Sequence, residues 1–346
     1  MPNISPKFSL SGLSLALGLS VMASTSLAEP FRIVVTETET PLVPNSLIYL
    51  AESAGYFDDQ GLEVDLVPAA QTPMAVAALR SGGGEMANIS VGSLLDLHAE
   101  GAEDIVAVHS SDKAIPFMIV GKPGLTLQDM AGATYGVGRM HSLDYDLSSL
   151  VLENLGVNFD SLEVVPLGAP AVRAQALGAG RIDSTTISIG SFLAMPSHEE
   201  FDALVSVGEF FRQVPIVTKV DVVTADVLEH RADDLDKVLT ALTLAARDYA
   251  ADPETWVDDM ADDRPDIARA TLAELAKTYS ESWTVNGGLQ KEEMLYSLRS
   301  LGQPYKRENG EDTPFRVELE DITDFGPMDA VLEELGPSTL GDEISR

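Results

Sequence analysis

The chain has no cysteine among its 346 residues and is short of basic side chains, with 22 Lys and Arg against 55 Asp and Glu. The first absence excludes disulfides, thiolate metal sites, iron–sulfur clusters and a cysteine nucleophile. The second gives a formal net charge of −33. That charge argues against nucleic acid and anionic lipid surfaces as partners, because both select basic patches. It leaves the charge of a small ligand open, since a pocket is a local environment. Long apolar runs are also missing: after Ala28 none approaches the roughly 18 residues a transmembrane helix needs. Forty-five per cent of the residues are hydrophobic, so the chain can bury substantial cores. Its length suits two domains of about 150 residues each.

The N-terminus is expected to lie outside the fold. Residues 1–12 carry a single charge, Lys7, and Leu13–Ala23 is apolar. Small residues follow at Ser26 and Ala28. This is the three-part pattern of a secretory signal peptide, too short to span a membrane. Cleavage after Ala28 would release a chain beginning at Glu29. Without cysteine there is no lipid-modified N-terminal residue, so the expected location is a Gram-negative periplasm.

Strand and helix signals then alternate. Phe31–Glu37 reads as a buried strand, and Asn45 opens a helical pattern closed by Gly55. Leu62–Pro68 alternates with period 2, and Thr72 with Pro73 starts a helix running to Arg80. Met86–Ser90 is a strand, Val91–Glu100 a helix and Ile105–Ser110 a strand. A second series begins at Phe117–Gly121. It continues through strands at Thr134–Gly138, Leu162–Pro166 and Ile182–Ile189, and through helices from Leu143 and Pro170. Val214–Val223 is expected to return as a strand to the first unit. Helical patterns follow at Ala232–Ala250, Pro253–Met260, Ile267–Tyr279 and Lys291–Leu301, with Trp256 and Trp283 packed among them. No internal repeat is evident. The alternation predicts an α/β fold with mostly parallel sheets. Its division is expected at 29–115 with 219–346 for one lobe and 116–218 for the other, joined by two crossings.

Ala54-Gly55-Tyr56-Phe57 followed by Gln60-Gly61-Leu62-Glu63-Val64 resembles a signature of periplasmic solute-binding proteins. The resemblance is to the ABC-importer group for sulfonates, taurine, nitrate and thiamine pyrimidine precursors. Ala78–Gly82, Leu127–Gly132 ahead of Tyr135–Gly138, and Ala176–Asp183 agree with it in order and spacing. The resemblance implies a two-lobed type II periplasmic binding fold with a two-strand hinge and C-terminal helices. It further implies closure on one small molecule, delivery to a membrane permease, and no chemistry of the protein's own.

Ligands of open α/β sheets bind at the loops beyond the carboxyl ends of the strands. In the first lobe this marks Thr40, Asn45, Gln71, Thr72 and Ser90. In the second lobe the resemblance implies a ligand loop that includes Arg139, His141 and Ser142, with Tyr145, Arg173 and Ser188 as further candidates. Asn45, Thr72 and Ser142 would serve equally as helix caps. Arg139 could pair with a carboxylate or sulfonate, or stand at the cleft rim; Arg173 is a second candidate. The segment Gly136–Ser142 lacks the last glycine of a dinucleotide loop. Tyr49, Phe117, Tyr145 and Trp283 could stack on a ligand or pack in cores. His98, His109, His141, His198 and His230 have no metal-ligand spacing, so no metal or cofactor is expected. The expectation is a monomer that binds a small organic acid or sulfonate. The alternatives are a neutral pyrimidine ligand, or an enzyme of the thiamine-pyrimidine synthase type. That enzyme chemistry is associated with a cysteine-rich segment that this chain lacks.

Overall fold

The computed structural model describes residues 1–2 and 29–340, except 38–39, 44, 70–71, 112–114, 141, 281, 302–304, 307–311 and 314–316. The expected signal segment thus lies outside the described residues, apart from Met1 and Pro2. Two five-stranded sheets carry the fold. In chain order their strands are β1 (Phe31–Val35), β2 (Val64–Pro68), β3 (Met86–Ser90), β4 (Ile105–His109), β5 (Phe117–Gly121), β6 (Thr134–Val137), β7 (Glu163–Pro166), β8 (Ser184–Ser188), β9 (Asp202–Val205) and β10 (Lys219–Thr224). The first sheet has the order β2-β1-β3-β10-β4 and the second β7-β6-β8-β5-β9.

The two orders correspond strand for strand. β1 runs parallel to β2 and β3, as β6 does to β7 and β8. β10 lies antiparallel between β3 and β4, as β5 does between β8 and β9. Central strands covered by helices on both faces must be apolar throughout, and Phe31, Ile33 and Val34 of β1 are fully buried. The edge strand β2 ends at Pro68, a position where a missing N–H costs no ladder bond.

Several expected elements differ. The helical pattern from Asn45 is two helices, Leu47–Ser53 and Tyr56–Asp59, broken where Gly55 takes φ 84°. Ser46, not Asn45, precedes the first of them, and its hydroxyl accepts from Trp256 Nε1 at 3.0 Å. The expected strand Val214–Val223 is strand only from Lys219 to Thr224. Val214–Thr218 crosses between the sheets as irregular chain although Val214, Ile216 and Val217 are fully buried. Pro215 there has no N–H to donate to a ladder. The sequence pattern also missed β9, whose four residues include exposed Asp202 and Ala203 at a sheet edge.

A helical layer follows β10, including Ala232–Ala251, Pro253–Asp263 and Arg269–Tyr279. Trp256 and Trp283 are buried there as expected. Trp283 lies 5.3 Å from the Tyr249 ring and 5.1 Å from that of Tyr279. One apolar cluster runs from β1 through this layer to Phe192 and Leu193 in the helix Ile189–Leu193 of the second lobe. No helix among the described residues is long and apolar enough to cross a membrane.

Candidate functional site: a cleft between the lobes

A cleft of about 930 Å³ lies between the two sheets. The loop after β1 contributes Pro41, Leu42, Val43 and Asn45, and the end of β3 contributes Ser90. The second lobe contributes Phe117, Leu143, Ala171, Ser188, Gly190 and Met195. The first crossing adds Ile115 and Pro116, and the second adds Thr218 and Lys219.

The two lobes meet this cleft with nearly the same short sequence, Val91 in one standing where the other has Ile189. Ile89-Ser90-Val91-Gly92-Ser93 and Ile187-Ser188-Ile189-Gly190-Ser191 each close a strand and open a helix. The match extends upstream in constant register, setting Ala78-Leu79, Gly82 and Glu85 against Ala176-Leu177, Gly180 and Asp183. An internal repeat is therefore present, contrary to the sequence reading. It was hidden because the shared positions are small and scattered, and the identical sheet order makes it visible. Both first serines act alike. Ser90 Oγ accepts from Ser93 N at 3.2 Å and donates to Ser93 Oγ at 2.8 Å. Ser188 Oγ accepts from Ser191 N at 3.2 Å and pairs with Ser191 Oγ at 2.9 Å.

Beside Lys219 a smaller recess of about 10 Å³ shares Asn45 and Lys219 with the cleft. Its walls include Thr36, Tyr49, Asn88 and Ser111, and its size suits a single water. The Lys219 ammonium donates to Thr36 Oγ1 at 3.1 Å. Two residues along β10, on the same strand face, Asp221 is fully buried. Its Oδ1 accepts from Asn88 Nδ2 at 2.7 Å. Its Oδ2 accepts from His109 Nδ1 at 2.7 Å, Ser111 N at 3.1 Å and Ser111 Oγ at 2.7 Å. This carboxylate joins the end of β4, where one crossing begins, to β10, where the other ends. The Ser111 hydroxyl points at the carboxylate and not at the imidazole, and Ser111 is buried beside a recess with room for one water only, so a ligand in the cleft does not reach it.

The second-lobe loop is occupied from within. Asp144 Oδ2 accepts from Gly138 N at 2.7 Å, and Asp144 Oδ1 accepts from Ser142 Oγ at 2.6 Å. A Cβ at Gly138 would stand 3.0 Å from Asp144 Oδ1 and 3.1 Å from Arg173 Nη1, so the glycine permits this approach. Arg173 is buried. It donates through Nε and Nη2 to Thr186 O at 3.2 and 3.0 Å, through Nη1 to Gly168 O at 2.6 Å, and lies 3.4 Å from Asp144. Burial, partly offset by Asp144, holds its pKa below the usual arginine value.

Of the residues singled out in the sequence, Asn45, Ser90 and Ser188 line the cleft. Thr40, Thr72, Arg139, Ser142, Tyr145 and Arg173 are not among its lining residues. Thr40 O instead accepts from Arg264 Nη1 at 2.8 Å. Thr72 is the first residue of the helix Thr72–Arg80. Arg139 is exposed, and its carbonyl lies 2.6 Å from Ser142 Oγ. Tyr145 meets Phe159 edge-on at 5.3 Å, in the second-lobe core. Gln71 and His141 lie outside the described residues. Among the stacking candidates, Phe117 reaches the cleft and Tyr49 the recess. Sequence reasoning passed over Lys219, which is the only Lys or Arg between Arg212 and Arg231 and sits where a crossing ends. Among the described residues no three His, Asp or Glu side chains gather as a metal site requires.

The model of the family described as NMT1/THI5 like matches residues 45–256. The chain belongs to this family. A search of curated proteins by sequence found no match. Solved structures share the fold at low identity. The periplasmic aliphatic sulphonate binding protein SsuA from Escherichia coli is 14% identical, with TM-score 0.65 over 92% of this chain and 96% of that one. The Candida albicans CA3427 gene product, described as having the generic periplasmic binding protein structural fold, is 14% identical. Its TM-score is 0.53 over 92% of this chain and 98% of that one. A variant of the desulfurization enzyme DszB, in complex with biphenyl-2-sulfinic acid, is 12% identical, with TM-score 0.61 over 88% of this chain and 99% of that one. The family and these likenesses establish the two-lobed periplasmic binding protein fold.

Proposed function

We propose that this protein is the periplasmic solute-binding component of an ABC importer, taking a small organic anion of the carboxylate or sulfonate class. The lobes divide at 29–115 with 219–346 and at 116–218, and the mature, unlipidated monomer begins at Glu29. It delivers its ligand to a membrane permease. The observation that carries this reading is the cleft itself, enclosed between twin serine motifs at the carboxyl ends of β3 and β8. That is where open α/β sheets take ligands. The sulfonate-binding relative of the same fold supports the ligand class.

The fold also serves an enzyme, DszB, so binding without chemistry needs its own support. A chain without cysteine has no thiol nucleophile. Ser111 is buried beside the water-sized recess and Ser142 lies outside the cleft lining, so neither hydroxyl is placed to attack a ligand in the cleft. These arrangements favour a binding protein.

The test uses protein taken from the soluble periplasmic fraction, its first residue read by N-terminal sequencing. Thermal shift is then measured over sulfonates, nitrate, aliphatic and aromatic acids and pyrimidines. A ligand at 100 times its Kd adds about 2.7 kcal/mol, a shift of several degrees at most. A first residue at or near Glu29 and a response to organic anions support the reading. A cytosolic chain keeping residues 1–28, or a response to neutral pyrimidines alone, overturns it.

A further inference from the structure

The proposal below rests on the cleft being the ligand site. We infer that the ligand is an amphipathic monoanion, its carboxylate or sulfonate head held at Lys219 and its uncharged body, ring-sized or longer, laid on apolar walls.

Three features of the cleft point this way. Lys219 is the one ionisable side chain among the described lining residues. It uses one of its three ammonium donors on Thr36 Oγ1. Asn45, Ser90 and Thr218 are polar groups of the same lining, and the recess that shares Asn45 and Lys219 with the cleft adds Asn88 and Ser111. Glu37 borders that recess also, on the head-group side. The rest of the lining is mostly apolar, with Leu42, Val43, Pro116, Phe117, Met195 and Pro196, and its polar groups, Gln175, Ser188 and Ser191, are uncharged. These walls offer neither an acid for an ammonium group nor a base for a second anionic group. Burying either charge there without a partner is strongly unfavourable.

Size gives the third argument. At about 930 Å³ the cleft falls at the upper end of the roughly 300–1,000 Å³ range of small-molecule pockets. A two-carbon zwitterion such as taurine would leave most of the apolar wall facing water. A longer body covers that wall and gains affinity with each buried methylene. Met195, unbranched and polarisable, can adjust to bodies of different outline.

Calorimetric titration of the native protein provides the first arm. The probes are linear alkanesulfonates and alkanoates of two to ten carbons, naphthalene-2-sulfonate, 2-naphthoate, naphthalene-1,5-disulfonate, naphthalene-2-sulfonamide and taurine. Affinity is expected to rise about fourfold per methylene until the wall is covered. The two naphthalene monoanions should bind more tightly than the dianion, the sulfonamide or taurine. Comparing the sulfonate with the carboxylate series tells which head group is preferred. The second arm is Lys219→Met, which keeps the stem and is expected to lose about 30-fold or more in affinity for the monoanions. Lys219→Arg should recover most of it, and Arg139→Ala should stay within about twofold of the native protein.

Affinity that is flat with chain length, taurine or the dianion binding best, or native-like affinity in Lys219→Met overturns the inference. Ala171→Trp, which fills the cleft from an exposed helix position, separates the two levels of the argument. Loss of all binding in Ala171→Trp together with native affinity in Lys219→Met leaves the cleft standing and removes the monoanion. Full binding in Ala171→Trp removes both.

Discussion

At the scale of single residues, arginine has different duties at two neighbouring places in the second lobe. Arg139 is exposed in the loop after β6, whereas Arg173 is buried and spends its donors on the carbonyls of Gly168 and Thr186. Asp144 takes the loop's Gly138 N–H and lies against Arg173. The anion that this strand-to-helix loop was expected to draw from solution is thus supplied by the chain itself. The spacing of Gly136-Val137-Gly138 suggested the loop, but nothing in the sequence said that Asp144 would turn back into it. Arg173→Met would leave two buried carbonyls and the Asp144 carboxylate without their partner. Removing one member of such a buried pair typically costs about 3–5 kcal/mol, and Arg173→Met is expected to lower unfolding stability by about 3 kcal/mol. Urea denaturation without ligand checks this. A change under 1 kcal/mol would show that Arg173 is not holding the loop.

At the scale of elements, the repeated segment sets matching strand starts as well as matching helix starts. Glu85 Oε2 accepts from Arg32 N at 2.7 Å in the first lobe, and Asp183 Oδ2 accepts from Thr134 N at 2.9 Å in the second. Each acid follows the shared Ala-Leu and Gly positions and ties its loop to the start of a central strand. Burial raises the Glu85 pKa, but the hydrogen bonds from the Arg32 side chain and backbone outweigh it, so the net direction is downward. The bond from Lys122, ahead of those from Thr134, lowers Asp183 likewise. A carboxyl group whose pKa is lower in the folded chain stabilises it above the unfolded value and ceases to do so as pH falls through the folded value. Stability is therefore expected to decline as pH drops below the ordinary glutamate value of 4.5. Glu85→Gln should make the decline shallower. Urea midpoints measured from pH 7 downward decide the matter, and identical slopes for the two proteins would remove Glu85 from the account.

At the scale of the whole molecule, the two lobes are joined by more than their crossings. The helix Arg269–Tyr279 touches the second-lobe helix Ile189–Leu193, while within the first lobe the Asp221 carboxylate ties the end of β4 to β10, the two places where the crossings leave and return. With the crossings as the hinge, the expected relative motion of the lobes is opening and shutting of the cleft. A ligand touching both lobes favours the shut form by its differential affinity for it. Small-angle scattering is expected to give a smaller radius of gyration with saturating ligand than without. Superimposable curves would mean that the lobes do not move on binding.

Much of this molecule was legible in the order of its residues. Apolar runs such as Phe31–Val35 and Phe117–Gly121 must be buried strands wherever they end up, because no other placement removes them from water. Glycines after helical patterns, as at Gly55 and Gly156, take positive φ that other residues avoid. Such local preferences, repeated in alternation, determined the α/β class and the double crossing. Local preference could not decide which polar side chains would face the cleft. A serine before a helical pattern reads as a cap, so Ser90, Ser142 and Ser188 look alike in the sequence; Ser90 and Ser188 cap their helices and line the cleft, whereas Ser142 makes no capping bond and lies outside the lining. Lys219 stands there because β10 inserts between β3 and β4, a pairing across distant parts of the chain. Position in a cleft depends on contacts between residues far apart in sequence, and only the assembled sheets bring those residues together.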